Sequence, residues 1–524
     1  MATPNLALIP TGYKAGKVYS VLPETGVGDF AFTRASAATR INSAGLLEVA
    51  QYSIGGELVT NGDFATDSDW TKGTGWTISG GTASCNGTQS GTTEIYQSVS
   101  YPQNSTFKVQ YTISNFTAGL IKTSFFADSS GTFQGANGLV VEYITVSNTG
   151  NGNFGFSASS NFNGSIDNVS VIEWAINDVP RLEYPLIDGV VNGCPSLLLE
   201  PQATNLITYP ISFGNSYWTK SGATIEGDAS TAGAEIVTNG SFATDTDWTK
   251  SSGWTIGGGV ATVTAGNSGA DLLQSIGLVD GTFYKIEVTI SGYVAGSVRI
   301  NFLGTGGQLA DFTANGTYVG YAYGGSDPRL QIVATTTTTT LSLDNVSVKE
   351  VQGYSSPSVD FPTSAFKLVE DTSNGIHRLL NSSAVSLAGD FTNSVFAKKG
   401  ERNWIRLVNN NLAGAYFDLQ NGVVGSISAG FTADIIEYSN GWYKCSISGN
   451  RVGTQSERVV VYTSIDGLTD SYTGDGTSGI YLFMAQLETG SVATSPTLTS
   501  LSAEGTTTTR VAETCNGAGD ASTF

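Results

Sequence analysis

Residues 57 to 80 (ELVTNGDFATDSDWTKGTGWTISG) recur as residues 235 to 258 (EIVTNGSFATDTDWTKSSGWTIGG), identical at 18 of 24 positions and 178 residues further along. A second block, Ile166-Asp167-Asn168-Val169-Ser170-Val171-Ile172-Glu173, returns as Leu343-Asp344-Asn345-Val346-Ser347-Val348-Lys349-Glu350 at an offset of 177. Self-similarity at a fixed period means one structural unit folded twice. With boundaries at 56–174 and 234–352, each copy has about 119 residues, the size of one β-sandwich.

Inside the copies apolar and polar residues alternate, as in Lys285-Ile286-Glu287-Val288-Thr289-Ile290 and Val298-Arg299-Ile300-Asn301-Phe302. That is the period of a half-buried strand. Gly, Asn, Asp and Ser break these runs about every 8 to 12 residues, and no helical periodicity stands out. The run Thr335 to Thr340, being β-branched, is expected to be strand. The expected fold class is all-β, a set of β-sandwiches.

Removing both copies leaves 1–55, 175–233 and 353–524 as one host chain. An inserted domain needs its ends close together. The strand near Leu58-Val59 is therefore expected beside Val169-Ser170-Val171, and Ile236-Val237 beside Val346-Ser347-Val348. Residues 1–55 are expected to be an attachment segment, 175–204 a connecting segment, 205–233 with 353–504 a third sandwich, and 505–524 a C-terminal tail.

Only 13% of the 524 residues are charged, while 65 are glycine and 40% are hydrophobic. That excludes a charged disordered tail and a coiled-coil rod. A formal charge of −20 with no basic patch argues against nucleic acid as a ligand. Cys85, Cys194, Cys445 and Cys515 stand singly and read as free thiols, without metal spacing. No signal-peptide pattern and no run of 18 apolar residues appears, so no membrane insertion is expected.

The host phrases Phe32-Thr33-Arg34-Ala35-Ser36-Ala37-Ala38-Thr39-Arg40, Val179-Pro180-Arg181-Leu182-Glu183-Tyr184 and Leu197-Leu198-Leu199-Glu200-Pro201-Gln202 occur in an order that resembles bacteriophage tail-fibre and related virion structural proteins. Further phrases, Asn215-Ser216-Tyr217-Trp218, Asn440-Gly441-Trp442-Tyr443-Lys444-Cys445 and Gln486-Leu487-Glu488-Thr489-Gly490, are similar to the concanavalin-like lectin sandwich, a jelly roll. The repeated insert resembles the carbohydrate-binding-module sandwich attached to glycosidases. The resemblance implies a virion location, a homotrimeric fibre or spike, contact with other virion proteins through the N-terminal region, and adhesion to host-surface polysaccharide without catalysis. An architectural capsid or tail role with no glycan ligand is the alternative.

Aromatic faces are the usual platform for sugar rings. Trp70, Trp248 and Trp404 are the candidates, since alternation places Trp76 and Trp254 on the apolar face and Trp442 reads as core. No cofactor is required, but the resemblance implies a structural calcium ion where the first and last strands of a copy meet. Its oxygen ligands would come from Glu57, Asp63 and Asp167 in copy one and Glu235 and Asp344 in copy two. A hydrolase is disfavoured: His377 is the single histidine, and no GxSxG elbow accompanies it.

Overall fold

The computed structural model describes residues 12–19, 30–497 and 504–516, apart from positions 127, 136, 148–149, 185, 188–189, 192, 194, 266–267, 305 and 310. Cys194 and most of the first 29 positions thus lie outside the described residues. Within them the chain is all-β, with 3₁₀ turns only at Ala229–Thr231 and Ser439–Gly441. Among the described residues no helix is long and apolar enough to cross a membrane.

The first repeat closes its core between two antiparallel sheets. One orders Ser129–Ser130, Ile121–Phe125, Gly150–Ala158, Thr93–Tyr101 and Thr71–Lys72. The other orders Gly138–Thr145, Thr106–Ala118, Asn163–Ala175, Thr82–Asn86 and Trp76–Ser79, with Tyr52–Glu57 added on Asn163–Ala175. Strict alternation on Thr93–Tyr101 sends Ile95, Val99 and Tyr101 inward to meet Val109, Tyr111 and Val171 from the facing sheet. The second repeat builds the same two layers around Leu272, Ile286, Val288, Ile332 and Val348.

The ends of each repeat lie side by side. Leu58 N–H donates to Val171 O at 2.9 Å, and Ile236 N–H to Val348 O at 3.1 Å. The host chain can therefore run into and out of each repeat through adjacent strands.

The repeated phrases are turn and bulge chemistry. Asn168 and Asn345 hold φ of 53° and 52°, and at each the ladder register shifts by one residue against the neighbouring long strand. Asparagine tolerates this left-handed conformation, which a β-branched residue would resist. Gly62 and Gly240 face Val169 O and Val346 O so closely that a Cβ would fall 2.0 Å from either oxygen. Glycine is required at both places by that approach.

Thr335 to Thr339 depart from the expected strand and form a turn, with the strand beginning at Thr340. Hydroxyls decide it: Thr339 Oγ1 donates to Ser297 O at 3.1 Å and Thr336 O at 2.9 Å. Local side-chain bonds of this kind compete with the ladder and outweigh β propensity.

The host forms a third sandwich of two six-stranded sheets. Trp218–Ser221, Arg378–Asn381, Val460–Ser464, Trp404–Val408, Gly414–Asp418 and Val423–Ile427 make one. Ala223–Glu226, Phe366–Glu370, Gly479–Thr489, Val385–Lys399, Trp442–Glu457 and Thr432–Tyr438 make the other. Leu379, Ile405, Phe417, Val461 and Leu482 fill the space between them.

Beneath this sandwich the fibre-like phrases converge on a buried charge knot. Arg34 Nη1 pairs with Glu513 Oε1 at 2.8 Å, and Arg181 Nη2 with Glu200 Oε2 at 2.9 Å. Arg181 also pairs with Glu513, and Arg510 Nη2 lies 3.3 Å from Glu200 Oε2. Burial alone would raise the Glu200 carboxyl; Arg181 and Arg510 more than offset it and hold it below the usual range. Strand pairs knit the same segments, Phe30–Thr33 with Thr514–Asn516 and Ala203–Asn205 with Thr508–Arg510. Residues 30–49 and 508–516, in the stretches expected as an attachment segment (1–55) and a C-terminal tail (505–524), are thus strand-paired parts of the host chain.

Candidate functional site

Trp70 and Trp248 are 6% and 7% exposed, so neither offers a face to a sugar. Each closes the turn that precedes it. Trp70 Nε1 donates to Asn61 O at 3.0 Å and Trp248 Nε1 to Asn239 O at 3.1 Å. Their rings pack on Phe64 and Phe242 at 5.2 and 5.4 Å between centroids. Indole burial against a turn, with its N–H satisfied by a carbonyl, is structural work and corrects their assignment as platforms.

The carboxylates expected around calcium are likewise committed to the chain itself. Glu57 Oε1 accepts from Val59 N–H at 3.1 Å and Val171 N–H at 2.6 Å, and its Oε2 accepts from Ser170 Oγ at 2.6 Å. Glu235 repeats this with Val237, Val348 and Ser347 at 3.0, 2.8 and 2.5 Å. Asp167 and Asp344 each accept from the next residue's N–H, at 2.6 and 2.7 Å, fixing the bulge. Asp63 Oδ1 accepts from Ala65 N–H at 3.3 Å. Among the described residues no group of three or more His, Cys, Asp or Glu is placed to share a metal ion. The five acids therefore act as strand and turn clamps rather than as a shared coordination shell.

His377 is fully buried, with its ring nitrogens facing Gly222 O and Tyr472 O. Both are backbone carbonyls, so the imidazole is held as a packing element beside Tyr472, 4.6 Å away between centroids.

Trp404 is the remaining candidate, and it sits half-buried on the outer face of the first host sheet. Its benzo ring lies on Gly467, where a Cβ would fall 2.6 Å from the ring, and borders Gly425. Gly467 has φ of 73° in a turn tied by Ser464 Oγ, which accepts its N–H at 3.2 Å. In that turn the amides of Leu468 and Thr469 hold the Asp466 carboxyl below its ordinary range. The indole N–H has no partner among the described residues, which leaves a ring and a donor together on an accessible face.

Beside Trp404 a row of side chains crosses four strands in register: Arg378 opposite Tyr462, Tyr462 opposite Arg406, Arg406 opposite Tyr416. The Arg406 guanidinium stands 5.2 Å over the Tyr416 ring, and Arg378 5.6 Å over Tyr462. Arg406 also pairs with Asp470 and donates to Leu412 O at 2.9 Å. Burial, with Asp470 adding to it, pushes the Tyr416 hydroxyl up to about 12, so it stays a neutral donor, to Leu468 O at 3.0 Å. Two buried polar atoms here, Arg378 Nε and Asp470 Oδ1, have no hydrogen-bond partner among the described residues. From Trp404 to Arg378 the terrace measures about 12 Å by strand spacing and rise. Tyr462 and Tyr416 are 3% and 9% exposed, so Trp404 and the two arginines are what the row presents outward.

Of this terrace only Trp404 was an expected site residue. The alternation Trp404-Ile405-Arg406-Leu407 does place Arg406 on the same face. Arg378, Tyr416, Tyr462 and Asp470 come from other strands, and nothing local to them announces the register that brings them there.

No family model and no curated protein sequence matches the chain. Among solved structures, the N-terminal CBM22-1-CBM22-2 tandem domain from Paenibacillus barcinonensis Xyn10C aligns at 12% identity over 50% of this chain and 99% of that one, with a TM-score of 0.20. The atomic structure of Sulfolobus Turreted Icosahedral Virus aligns at 11% identity over 81% and 92%, with a TM-score of 0.13. The mycobacterial arabinofuranosyltransferase AftD aligns at 11% over 97% and 39%, with a TM-score of 0.15. Scores of this size leave function to be argued from the chain's own residues.

Proposed function

We propose that this chain is a bacteriophage virion structural protein, a fibre or spike that adheres to host-surface glycan through the Trp404 terrace and performs no chemistry. The observation that carries the adhesive part is the half-buried Trp404 ring laid on Gly467 beside the Arg406–Tyr416 pair. A π face, an open indole N–H and guanidinium donors are the groups a pyranose ring and its hydroxyls need. The virion part is supported by the phrases that resemble fibre proteins, which meet physically in the charge knot around Arg181 and Glu513.

A homotrimer would present three terraces on one particle appendage, and linked weak sites gain roughly 10²- to 10⁴-fold in avidity. Attachment to the particle would fall to the N-terminal region, whose strands Lys17–Tyr19 and Phe30–Thr33 share a sheet with Thr514–Asn516.

The test is a glycan array, including host-envelope polysaccharide, probed with the full chain at an oligomeric state fixed by light scattering. Selective binding that falls at least tenfold in Trp404→Ala, about 1.4 kcal/mol, is the expected result. A folded oligomer that binds no glycan would instead favour the architectural role.

A further inference from the structure

The second repeat is cemented to the host by an aromatic plug. Phe283 enters the host core, its ring 5.0 Å from Phe366 and 4.7 Å from Tyr323 between centroids. Beside the plug an open cavity of about 290 Å³ is lined by Phe283, Tyr323, Phe366, Glu350, Ser212 and Gln352, among others, and no Lys or Arg lines it.

Glu350 is the unusual member. Its counterpart in the first repeat, Glu173, accepts a hydrogen bond from Ser105 Oγ at 2.6 Å. In the second repeat Ser105 becomes Thr282, and no hydrogen bond reaches the Glu350 carboxylate from any described residue. Burial pushes that carboxyl above its ordinary range with nothing opposing it. A second acid, Glu504, accepts the amides of Ile211 and Ser212 at 2.9 and 3.2 Å on the same side. A half-buried carboxylate stripped of its partner, next to the half-buried Tyr323 ring and several hydroxyls, is suited to an ammonium on a hydroxylated ring. The volume limits the occupant to about one ring, near the lower bound of small-ligand pockets.

We propose that this cavity, between the second repeat and the host, binds a single amino-sugar residue, its ammonium on Glu350 and its ring against Tyr323. The site is separate from the Trp404 terrace and stands or falls without it.

The probes are glucosamine, glucose and N-acetylglucosamine, titrated by calorimetry into the full chain and into Trp404→Ala. Glucosamine is expected to bind both proteins alike, with a Kd on the order of 1 mM. Glucose and N-acetylglucosamine, which lack the charge, are expected to bind about tenfold more weakly or worse, and Glu350→Gln to weaken glucosamine to the same degree. Glu173→Gln should change nothing. Equal affinity for the three sugars, no binding of glucosamine at tens of millimolar, or indifference to Glu350→Gln would each overturn the proposal. Loss in Trp404→Ala alone would assign the binding to the terrace and overturn it too.

Discussion

Glu57 and Glu235 each satisfy two backbone amides and a hydroxyl with one carboxylate, at the point where a repeat begins and ends. Both residues are exposed, so removing the carboxylate hands its donors to water and loses only the net worth of the hydrogen bonds, about 0.5–1.5 kcal/mol. Glu57→Ala is therefore expected to destabilise the first repeat by about 1 kcal/mol in denaturant unfolding, equally with calcium and with chelator. A chelator effect in the parent chain that disappears in this variant would restore the ion in place of the clamp. Asp360 is the opposite kind of residue. It accepts Val49 N–H at 2.6 Å, and burial pushes its carboxyl up to about 6. A carboxyl raised in the folded state opposes folding once the unfolded chain can ionise. The penalty is absent below about pH 4, grows to about pH 6, and is then constant at up to about 3 kcal/mol. Asp360→Asn should match the parent near pH 4 and exceed its unfolding free energy above pH 6. A difference that does not change between pH 4 and pH 7.5 would refute the assignment.

At the scale of elements, the turn at Gly467 decides whether the strand Trp404–Val408 presents its first residue outward in a fixed pose. Gly467→Ala keeps Trp404 but adds a Cβ where the ring lies and puts alanine at φ of 73°. The backbone cost is about 1–3 kcal/mol. Gly430, at φ of 81° with open space around it, carries the same backbone cost without the clash. Glycan binding is expected to fall in Gly467→Ala and to survive in Gly430→Ala, as read on the same array after matching fractions folded. Equal binding by both would show that the ring's pose is irrelevant. The contrast also explains what was legible from residue order. The alternation of Lys285–Ile290 and Val298–Phe302 and the two recurring phrases pointed to paired sandwiches, because side-chain period and turn chemistry are local. Trp70 and Trp248 misled for the same reason. Their phrases recur because they build a turn, and the burial of an indole depends on what packs over it. Arg378, Tyr416 and Tyr462 were invisible because cross-strand register is not a local property.

At the scale of the whole molecule, the two repeats interrupt a host whose N-terminal and C-terminal strands must still find each other. Phe30–Thr33 pairs with Thr514–Asn516, and the contact is held by Glu513, whose side chain is inaccessible to solvent and serves Arg34 and Arg181 together. Breaking a buried pair by removing one partner costs about 3–5 kcal/mol, because the remaining charges stay desolvated. Glu513→Gln keeps the shape and a hydrogen-bond acceptor but leaves two buried guanidinium groups short of one countercharge. The expected loss is therefore in the host, not in the repeats, whose cores around Val109 and Val288 share no residue with the knot. Hydrogen exchange should show the amides of Phe32, Leu182 and Arg510 opening far more often in the variant, while those of Val109 and Val288 keep their protection. A loss below about 1 kcal/mol, or opening spread evenly over host and repeats, would mean that strand pairing alone closes the host and the knot is incidental. A confined loss would show instead why the fibre-like phrases can lie hundreds of residues apart. Their charges are complementary only after both repeats have folded back on their own ends and returned the host chain to the same place.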